Sequence, residues 1–167
     1  LVKIPSITPD DAGCQPLIAS CLQAAGFSVE TFHFGRTDNL LALHGSGAPL
    51  ILLLGHTDVV PTGDRSAWRD DPFGGLILSF DGEPCLYGRG SADMKGGDAA
   101  MTLSLSNYVR RHPAHPGTLA LLVTSNEEGD AQGGVPEMVP VLKARGLIPQ
   151  YCLLAECSCE KRFGDEI

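Results

Sequence analysis

One apolar segment, residues 50–58, constrains the fold of this chain more than any other stretch. Five consecutive aliphatic residues are followed by Gly55, His56, Thr57 and Asp58. Such a run is typical of a strand buried on both faces, and in α/β sheets sites form at the carboxyl ends of strands. In extended backbone His56 and Asp58 point to the same side, so Asp58 can accept one ring N–H and leave the other nitrogen for a metal ion. On this segment alone, an ordinary hydrogen-bonded pair is the open alternative.

Composition restricts the class of protein. The chain has 167 residues, of which 43% are hydrophobic, so it is long enough for one domain with a buried core. No apolar stretch approaches the roughly 20 residues that a membrane helix needs, and the start lacks a signal-peptide layout. The net charge is −8 and the 12 basic residues are dispersed, which argues against nucleic acid or an anionic membrane as partner. We expect a soluble, globular protein.

Hydrophobic periodicity and turn residues divide the chain into alternating helices and strands. The first helix is predicted from Thr8, as N-cap, to Gly26, although Pro16 would kink it or delay its start. Further helices are predicted over 93–111 and 135–144. Strands rich in β-forming residues are predicted over 27–34 and 39–43, buried strands over 50–54, 118–124 and 151–155, and a hairpin from 76–80 and 85–87. This alternation predicts an α/β fold with a central, mainly parallel mixed sheet flanked by helices.

The cysteines form no Cys-x-x-Cys pair. Cys14, Cys21 and Cys152 fall on apolar faces, so we expect buried free thiols, as in a reducing cytosol. Cys157 and Cys159 lie beside an acidic strand end and could bind a metal or oxidise, although an ordinary structural role is the simpler interpretation.

Acidic residues accumulate where predicted strands end. His56 and Asp58, Glu127 and Glu128, and Glu156 follow three apolar strands, and Asp93 lies in a glycine-rich turn before a helix. So many carboxylates at one sheet edge would repel one another unless divalent cations neutralise them. One imidazole with several carboxylates suits zinc, cobalt or manganese, and an aspartate can bridge two ions roughly 3.5–4 Å apart. The pattern predicts a two-metal hydrolase.

Each acidic residue also has an ordinary interpretation. Glu127 and Glu128 could form a solvated turn, Asp93 could cap a helix, and Glu156 could be a plain strand-end carboxylate. The glycine-rich stretch over 88–97 could suggest nucleotide binding, but it lacks the third glycine, and the chain has no phosphate-binding loop of the G-x-x-x-x-G-K-[ST] kind.

The motifs resemble those of the di-zinc acylase and carboxypeptidase family. The resemblance is carried by residues 55–61, Trp68 with 71–73, 87–97, 124–130 and Glu156, and extends from residue 6 to the end of the chain. It implies a cytoplasmic amidohydrolase with two zinc or cobalt ions per complete subunit. The motifs are most similar to members that hydrolyse N-succinyl-LL-2,6-diaminopimelate to succinate and LL-2,6-diaminopimelate, in lysine and cell-wall precursor biosynthesis. Other N-acyl-amino-acid amidohydrolases, such as acetylornithine deacetylase, are the open alternative.

The resemblance also implies a role for each site residue. His56 and Glu156 would bind one zinc ion, and Glu128 would bind the second. Asp93 would bridge both ions. Glu127 would be the general base, and Asp58 would orient His56.

The chain departs from the family pattern in three places. Asn126 stands where the family usually has Asp, and Cys157 where it usually has Pro. The chain also ends about where the family has a lid and dimerisation domain inserted. We therefore expect residues 1–167 to be the N-terminal part of the catalytic domain, inactive alone, with a small-molecule substrate and a homodimer for the full-length protein. An inactive zinc-binding fragment is the other open alternative.

Overall fold

The computed structural model describes residues 1–158. Within this range seven strands and three α-helices are formed: α1 (Cys14–Gln23), β1 (Ser28–Phe34), β2 (Thr37–Ser46), β3 (Leu50–His56), β4 (Leu76–Phe80), β5 (Glu83–Tyr87), α2 (Gly96–Arg111), β6 (Gly117–Thr124), α3 (Val135–Ala144) and β7 (Tyr151–Leu154). Five strands make one sheet in the order β1–β2–β6–β3–β7, and β4 with β5 forms a separate antiparallel hairpin. No helix in this part of the chain is long and apolar enough to cross a membrane.

The sheet is mixed, as predicted. β3 pairs in parallel with both β6 and β7, whereas β2 pairs antiparallel with both β1 and β6. β1, β3, β6 and β7 therefore run in one direction and β2 runs in the other. The sheet is mainly parallel in strand direction, and its two kinds of pairing are equal in number.

Helices cover both faces of the sheet. On one face, α1 and α2 contribute Ile18, Leu22, Met101, Leu105 and Val109 to a cluster with Leu40, Ala42 and Leu121. On the other face, α3 contributes Met138 and Leu142 to a cluster with Leu41, Leu52 and Leu122. Successive strand residues such as Leu40 and Leu41 enter opposite clusters because strand side chains alternate. β3 and β6 therefore need apolar residues at nearly every position.

The first helix starts later than predicted. α1 begins at Cys14, not at residues 8–9, and its first turn is capped by Asp11, whose carboxylate oxygens accept the Gln15 N–H at 3.0 Å. Pro16 is the third helical residue, where a missing N–H costs no helical hydrogen bond. The predicted delay is confirmed. Thr8 is not the N-cap, and its hydroxyl donates to the Asn126 side-chain oxygen at 3.2 Å.

Two predictions of burial were wrong. β7 is exposed at every position, because it lies at the sheet edge and pairs with β3 alone in the described part of the chain. Cys152, on β7, is exposed for the same reason, and Cys21 is exposed on α1; only Cys14 of the three is buried.

The second long helix also starts later than residue 93. Asp93 and Met94 have non-helical backbone angles, so α2 begins at Gly96.

Candidate metal centre

The carboxyl ends of three parallel strands meet at one edge of the sheet. β3 ends at His56, opposite Thr124 at the end of β6. β7 ends two residues before Glu156, and Glu127 and Glu128 lie in the loop that follows β6. The structure therefore places these residues on the edge where the sequence predicted them.

The His56 imidazole is the centre of the cluster. Its Nε2 lies 3.1 Å from an Asp93 oxygen, 3.1 Å from a Glu156 oxygen and 3.7 Å from a Glu127 oxygen. Ligand atoms of His56, Asp93 and Glu128 all lie within 4.8 Å of one another. One imidazole nitrogen with several carboxylate oxygens is a donor set suited to zinc, cobalt or manganese.

Asp93 reaches the cluster from a tight turn, Ser91–Lys95. Gly90, just before it, has a left-handed backbone with φ 76°, and a β-carbon there would collide with a neighbouring valine side chain, so only glycine fits. Met94 is fully buried, and its sulfur accepts the His56 backbone N–H at 3.2 Å. The Asp93–Met94 peptide bond is cis. These contacts hold the turn against the end of β3, with Asp93 facing the imidazole.

Asp58 holds both the imidazole and the acidic loop. His56 Nδ1 lies 3.0 Å from the Asp58 backbone carbonyl oxygen and 3.5 Å from its carboxylate. That carboxylate accepts the backbone N–H groups of Glu127 and Glu128 at 3.1 to 3.2 Å. Burial would raise the pKa of Asp58, but the contact with His56, the Thr8 hydroxyl and the Glu127 N–H hold it below its usual value. The buried carboxylate therefore stays ionised and fixes the loop.

The negatively charged carboxylates of the cluster repel one another. Burial and the nearby Asp93 carboxylate raise the pKa of Glu128, and they raise that of Glu156 against the lowering effect of His56. Burial would lower the pKa of His56, but Asp58 and Glu156 raise it to about 10. A divalent cation on Nε2 would replace the ring proton and offset the repulsion. The residues of this cluster therefore fit a divalent metal ion.

Comparison with known proteins identifies the family. A sequence profile of peptidase family M20/M25/M40 matches residues 52–165. The chain belongs to this family. Over 99% of its length it is 52% identical to succinyl-diaminopimelate desuccinylase from Stenotrophomonas maltophilia (strain K279a) and 49% identical to that from Xylella fastidiosa (strain 9a5c). It spans 43% of the length of either relative.

Solved structures share the fold of this M20 chain at low sequence identity. Human carnosine dipeptidase 1 has a TM-score of 0.73 at 24% identity, over 95% of this chain and 37% of that protein. The M20 family metallo-carboxypeptidase Sso-CP2 from Sulfolobus solfataricus has a TM-score of 0.74 at 17% identity, over 96% of this chain and 36% of that protein. These likenesses confirm the predicted fold class.

In this M20 chain Asp93 belongs to two groups of candidate metal ligands. One group joins it to His56 and Glu128, and the other joins it to Glu156 and Cys157. A shared aspartate is what a bridging role requires. The division of the other ligands between two ions, the base role of Glu127 and the orienting role of Asp58 stay predictions.

Asn126 closes the loop that follows the acidic pair. Its amide nitrogen donates to the Asp130 carboxylate and to the Gln132 carbonyl oxygen, both at 2.9 Å. Its side-chain oxygen accepts the Thr8 hydroxyl. An aspartate here would set a second anion against Asp130, so the amide suits this loop.

Sequence reasoning did not assign two polar residues near the centre. Asp98, on α2, is fully buried, and neither carboxylate oxygen has a hydrogen-bond partner within residues 1–158. An acid in a first helical turn normally indicates an exposed side chain, so the sequence held no signal for its burial. Cys157 was considered, but the simpler structural role was preferred. Its position after Glu156 was the available signal. Cys159 lies outside the described residues.

Two cavities adjoin this region. One of about 230 Å³ opens directly onto Asp93 and Glu128 and is also lined by Val60 and Arg89. A larger one, of about 680 Å³, lies around Asn126 and has none of the candidate ligands in its wall. Of these two cavities, the smaller is the one lined by candidate metal ligands.

Proposed function

We propose that the whole protein hydrolyses N-succinyl-LL-2,6-diaminopimelate to succinate and LL-2,6-diaminopimelate. The observation that carries the proposal is the 52% identity, over 99% of this chain, to an enzyme of that specificity by name. The donor cluster around His56 supports metal-dependent amide hydrolysis in particular. Because the chain spans 43% of the relatives' length, the proposal concerns the whole protein.

The proposed ligand assignment is compatible with a donor cluster that shares Asp93. His56 and Glu156 would hold one zinc or cobalt ion, Glu128 would hold a second, and Asp93 would be a ligand of both. When bound, the two cations would polarise the scissile carbonyl and lower the pKa of the attacking water. The surrounding chain supplies orientation, because Asp58 and the Met94 turn fix His56 and Asp93 before substrate arrives.

Glu127 is the proposed general base. Its side chain is 55% exposed, and one of its carboxylate oxygens lies 3.7 Å from His56 Nε2. It can take the proton of the attacking water and deliver it to the leaving amine. The Asp58 carboxylate accepts the backbone N–H groups of Glu127 and Glu128. These bonds hold the backbone of the loop, and the two neighbouring side chains have different proposed roles.

The smaller cavity is the proposed site of the scissile amide. Arg89 lines it beside Asp93, with the guanidinium carbon 5.1 Å from the centre of the Trp68 ring. Its Nε has no hydrogen-bond partner within residues 1–158. A stacked guanidinium suits a carboxylate ligand, and N-succinyl-diaminopimelate carries several carboxylates. We further propose a cytoplasmic location, a homodimer of the full-length protein, and a role in lysine and cell-wall precursor biosynthesis.

The test compares two substrates with the full-length, zinc-loaded protein. We expect kcat/KM for N-succinyl-LL-2,6-diaminopimelate to exceed that for N-acetylornithine by at least ~10-fold, a difference of about 1.4 kcal/mol in transition-state binding. Removal of the metal by a chelator should abolish the activity, and zinc should restore it. Faster turnover of N-acetylornithine would instead identify a deacetylase. Failure to hydrolyse either substrate with metal bound would favour an inactive zinc-binding module.

A further inference from the structure

The Cys157 thiol lies in the metal centre. Its Sγ and the carboxylate oxygens of Asp93 and Glu156 all lie within 4.8 Å of one another. The side chain is exposed, so the thiol does not serve as core packing. It faces two carboxylates instead of the apolar neighbours that a structural cysteine normally has.

The backbone holds this segment in place. Gly97, in the first turn of α2, lies so close to Ala155 that a β-carbon would collide with the Ala155 carbonyl oxygen. Through this contact the segment that carries Cys157 packs against the start of α2, just after the Asp93 turn. Independently, the imidazole of His56, 1% exposed, places Nε2 3.1 Å from an oxygen of each of these two carboxylates. The same two carboxylates therefore contact a buried nitrogen donor and lie within 4.8 Å of a thiol.

We propose that the Cys157 thiolate is a ligand of the metal ion held by Asp93 and Glu156. This inference rests on the proposed metal centre. The cation itself deprotonates a coordinating thiol, and the proton leaves to solvent on binding. The donor set then contains nitrogen, oxygen and sulfur. Such a set favours zinc, cobalt and cadmium over manganese, which prefers oxygen ligands.

Cobalt spectroscopy on the full-length protein tests the assignment. The metal-free protein, kept reduced with a phosphine, is loaded with cobalt, and the bound metal is counted by atomic absorption. We expect a sulfur-to-cobalt charge-transfer band in the near ultraviolet. The band should be lost in Cys157→Ser and kept in Cys152→Ser and Cys159→Ser. Cys152 is a matched control because it is an exposed thiol on the strand that leads into the centre.

Metal affinities give a second, independent measurement. Cys157→Ser should weaken cadmium binding by at least ~10-fold, the lower end of what losing even an outer partner of a metal ligand costs. Manganese affinity should change little, which also shows that the variant is folded. Cobalt bound without the band, or a band that persists in Cys157→Ser, would overturn the assignment and leave the proposed function intact. A protein that takes up no cobalt would overturn both.

Discussion

His56 and Asp58 have side chains that are 1% and 0% exposed, whereas those of Asp93 and Glu127 are 48% and 55% exposed. The buried pair is fixed by packing and hydrogen bonds, so it can orient a ligand but cannot reach a substrate. The exposed pair faces the solvent where a substrate would arrive. This difference in burial separates side chains that are fixed inside the protein from side chains at the solvent-exposed surface of the centre.

The first prediction concerns Glu127. In the full-length enzyme Glu127→Gln should lower kcat by at least ~10²-fold, a typical general-base contribution, because the amide cannot accept a proton. Metal content should stay nearly unchanged. Kinetics and atomic absorption on the same sample measure both. Glu128→Gln is the contrasting variant, expected to lose metal, and Glu83→Gln on the exposed hairpin should change neither. Loss of metal in Glu127→Gln would make Glu127 a ligand.

The second prediction concerns the buried carboxyl of Asp98. Burial raises its pKa to about 8, above about 3.9 in an unfolded chain. The unfolded state therefore loses this proton first, and the stability that the group contributes declines as pH rises from about 4 to about 8. Asp98→Asn removes this pH-dependent contribution. As pH rises, the free energy of unfolding of the variant should therefore increase relative to that of the original protein, by up to ~1.4 kcal/mol per pH unit.

Urea denaturation between pH 6 and pH 8 measures this difference. A chelator is present, because bound cations would lower the pKa of Asp98. Asp81→Asn changes an exposed acid in the hairpin turn and is the matched control. Its free energy of unfolding should depend on pH as that of the original protein does. Parallel pH profiles for Asp98→Asn and the original protein would show that Asp98 is ionised when buried.

At the scale of secondary structure, burial decided which elements could be predicted. β3 and β6 were recognised because strands covered on both faces need continuous apolar runs. β7 has an equally apolar sequence, yet it is exposed. Four apolar residues form the same local pattern at a sheet edge and in its middle, so the sequence did not distinguish these two positions. Solvent exposure of an edge depends on what packs beside it, which local sequence does not contain.

Helix starts were missed for a related reason. The start of α1 depends on Asp11, which lies inside the helix that was predicted from Thr8. Its carboxylate also accepts the Thr57 hydroxyl at 2.7 Å, from a residue 46 positions away. The start of α2 depends on the turn that aims Asp93 at His56. Contacts made across the fold, at the site itself, override local helix signals.

The third prediction tests the contact between α2 and the end of β7. Gly97→Ala should destabilise the fold by ~1–3 kcal/mol, because the new β-carbon meets backbone that cannot rotate away. It should also displace Glu156 and weaken zinc binding by about 10-fold. Thermal melts and zinc titration against a competing chelator measure the two effects.

Gly74→Ala is the matched control for this change. A β-carbon there would lie 3.1 Å from the Asp71 carbonyl oxygen, a milder crowding, and its three nearest neighbouring atoms belong to none of the candidate ligands. It should leave zinc affinity unchanged. Unaltered zinc affinity in Gly97→Ala would mean that the position of Glu156 does not depend on this contact.

At the scale of the whole molecule, the site was predictable because the sheet is mainly parallel in direction. Residues as distant in sequence as His56 and Glu156 had to meet once their strands were parallel neighbours. Sequence spacing alone did not give the partition of ligands, which came from the family resemblance, because Asp93 lies in an irregular turn. Cys157 shows the same limit, because its place near Asp93 depends on how α2 packs on Ala155.

The exposed sheet edge carries the last prediction. β7 presents apolar side chains on both faces and, within the described residues, pairs only with β3. An unpaired apolar edge favours association with another copy. The 167-residue chain should therefore self-associate as its concentration rises, and Leu153→Lys should suppress this, because a lysine on an edge strand opposes pairing. Leu103→Lys is a closely matched control: Leu103 is 57% exposed and Leu153 is 58%, but Leu103 lies on helix α2. Size-exclusion chromatography with light scattering over a concentration series measures the mass. Equal suppression by both variants would assign the association to general surface hydrophobicity, and a strictly monomeric chain would show that this edge is protected despite its exposure.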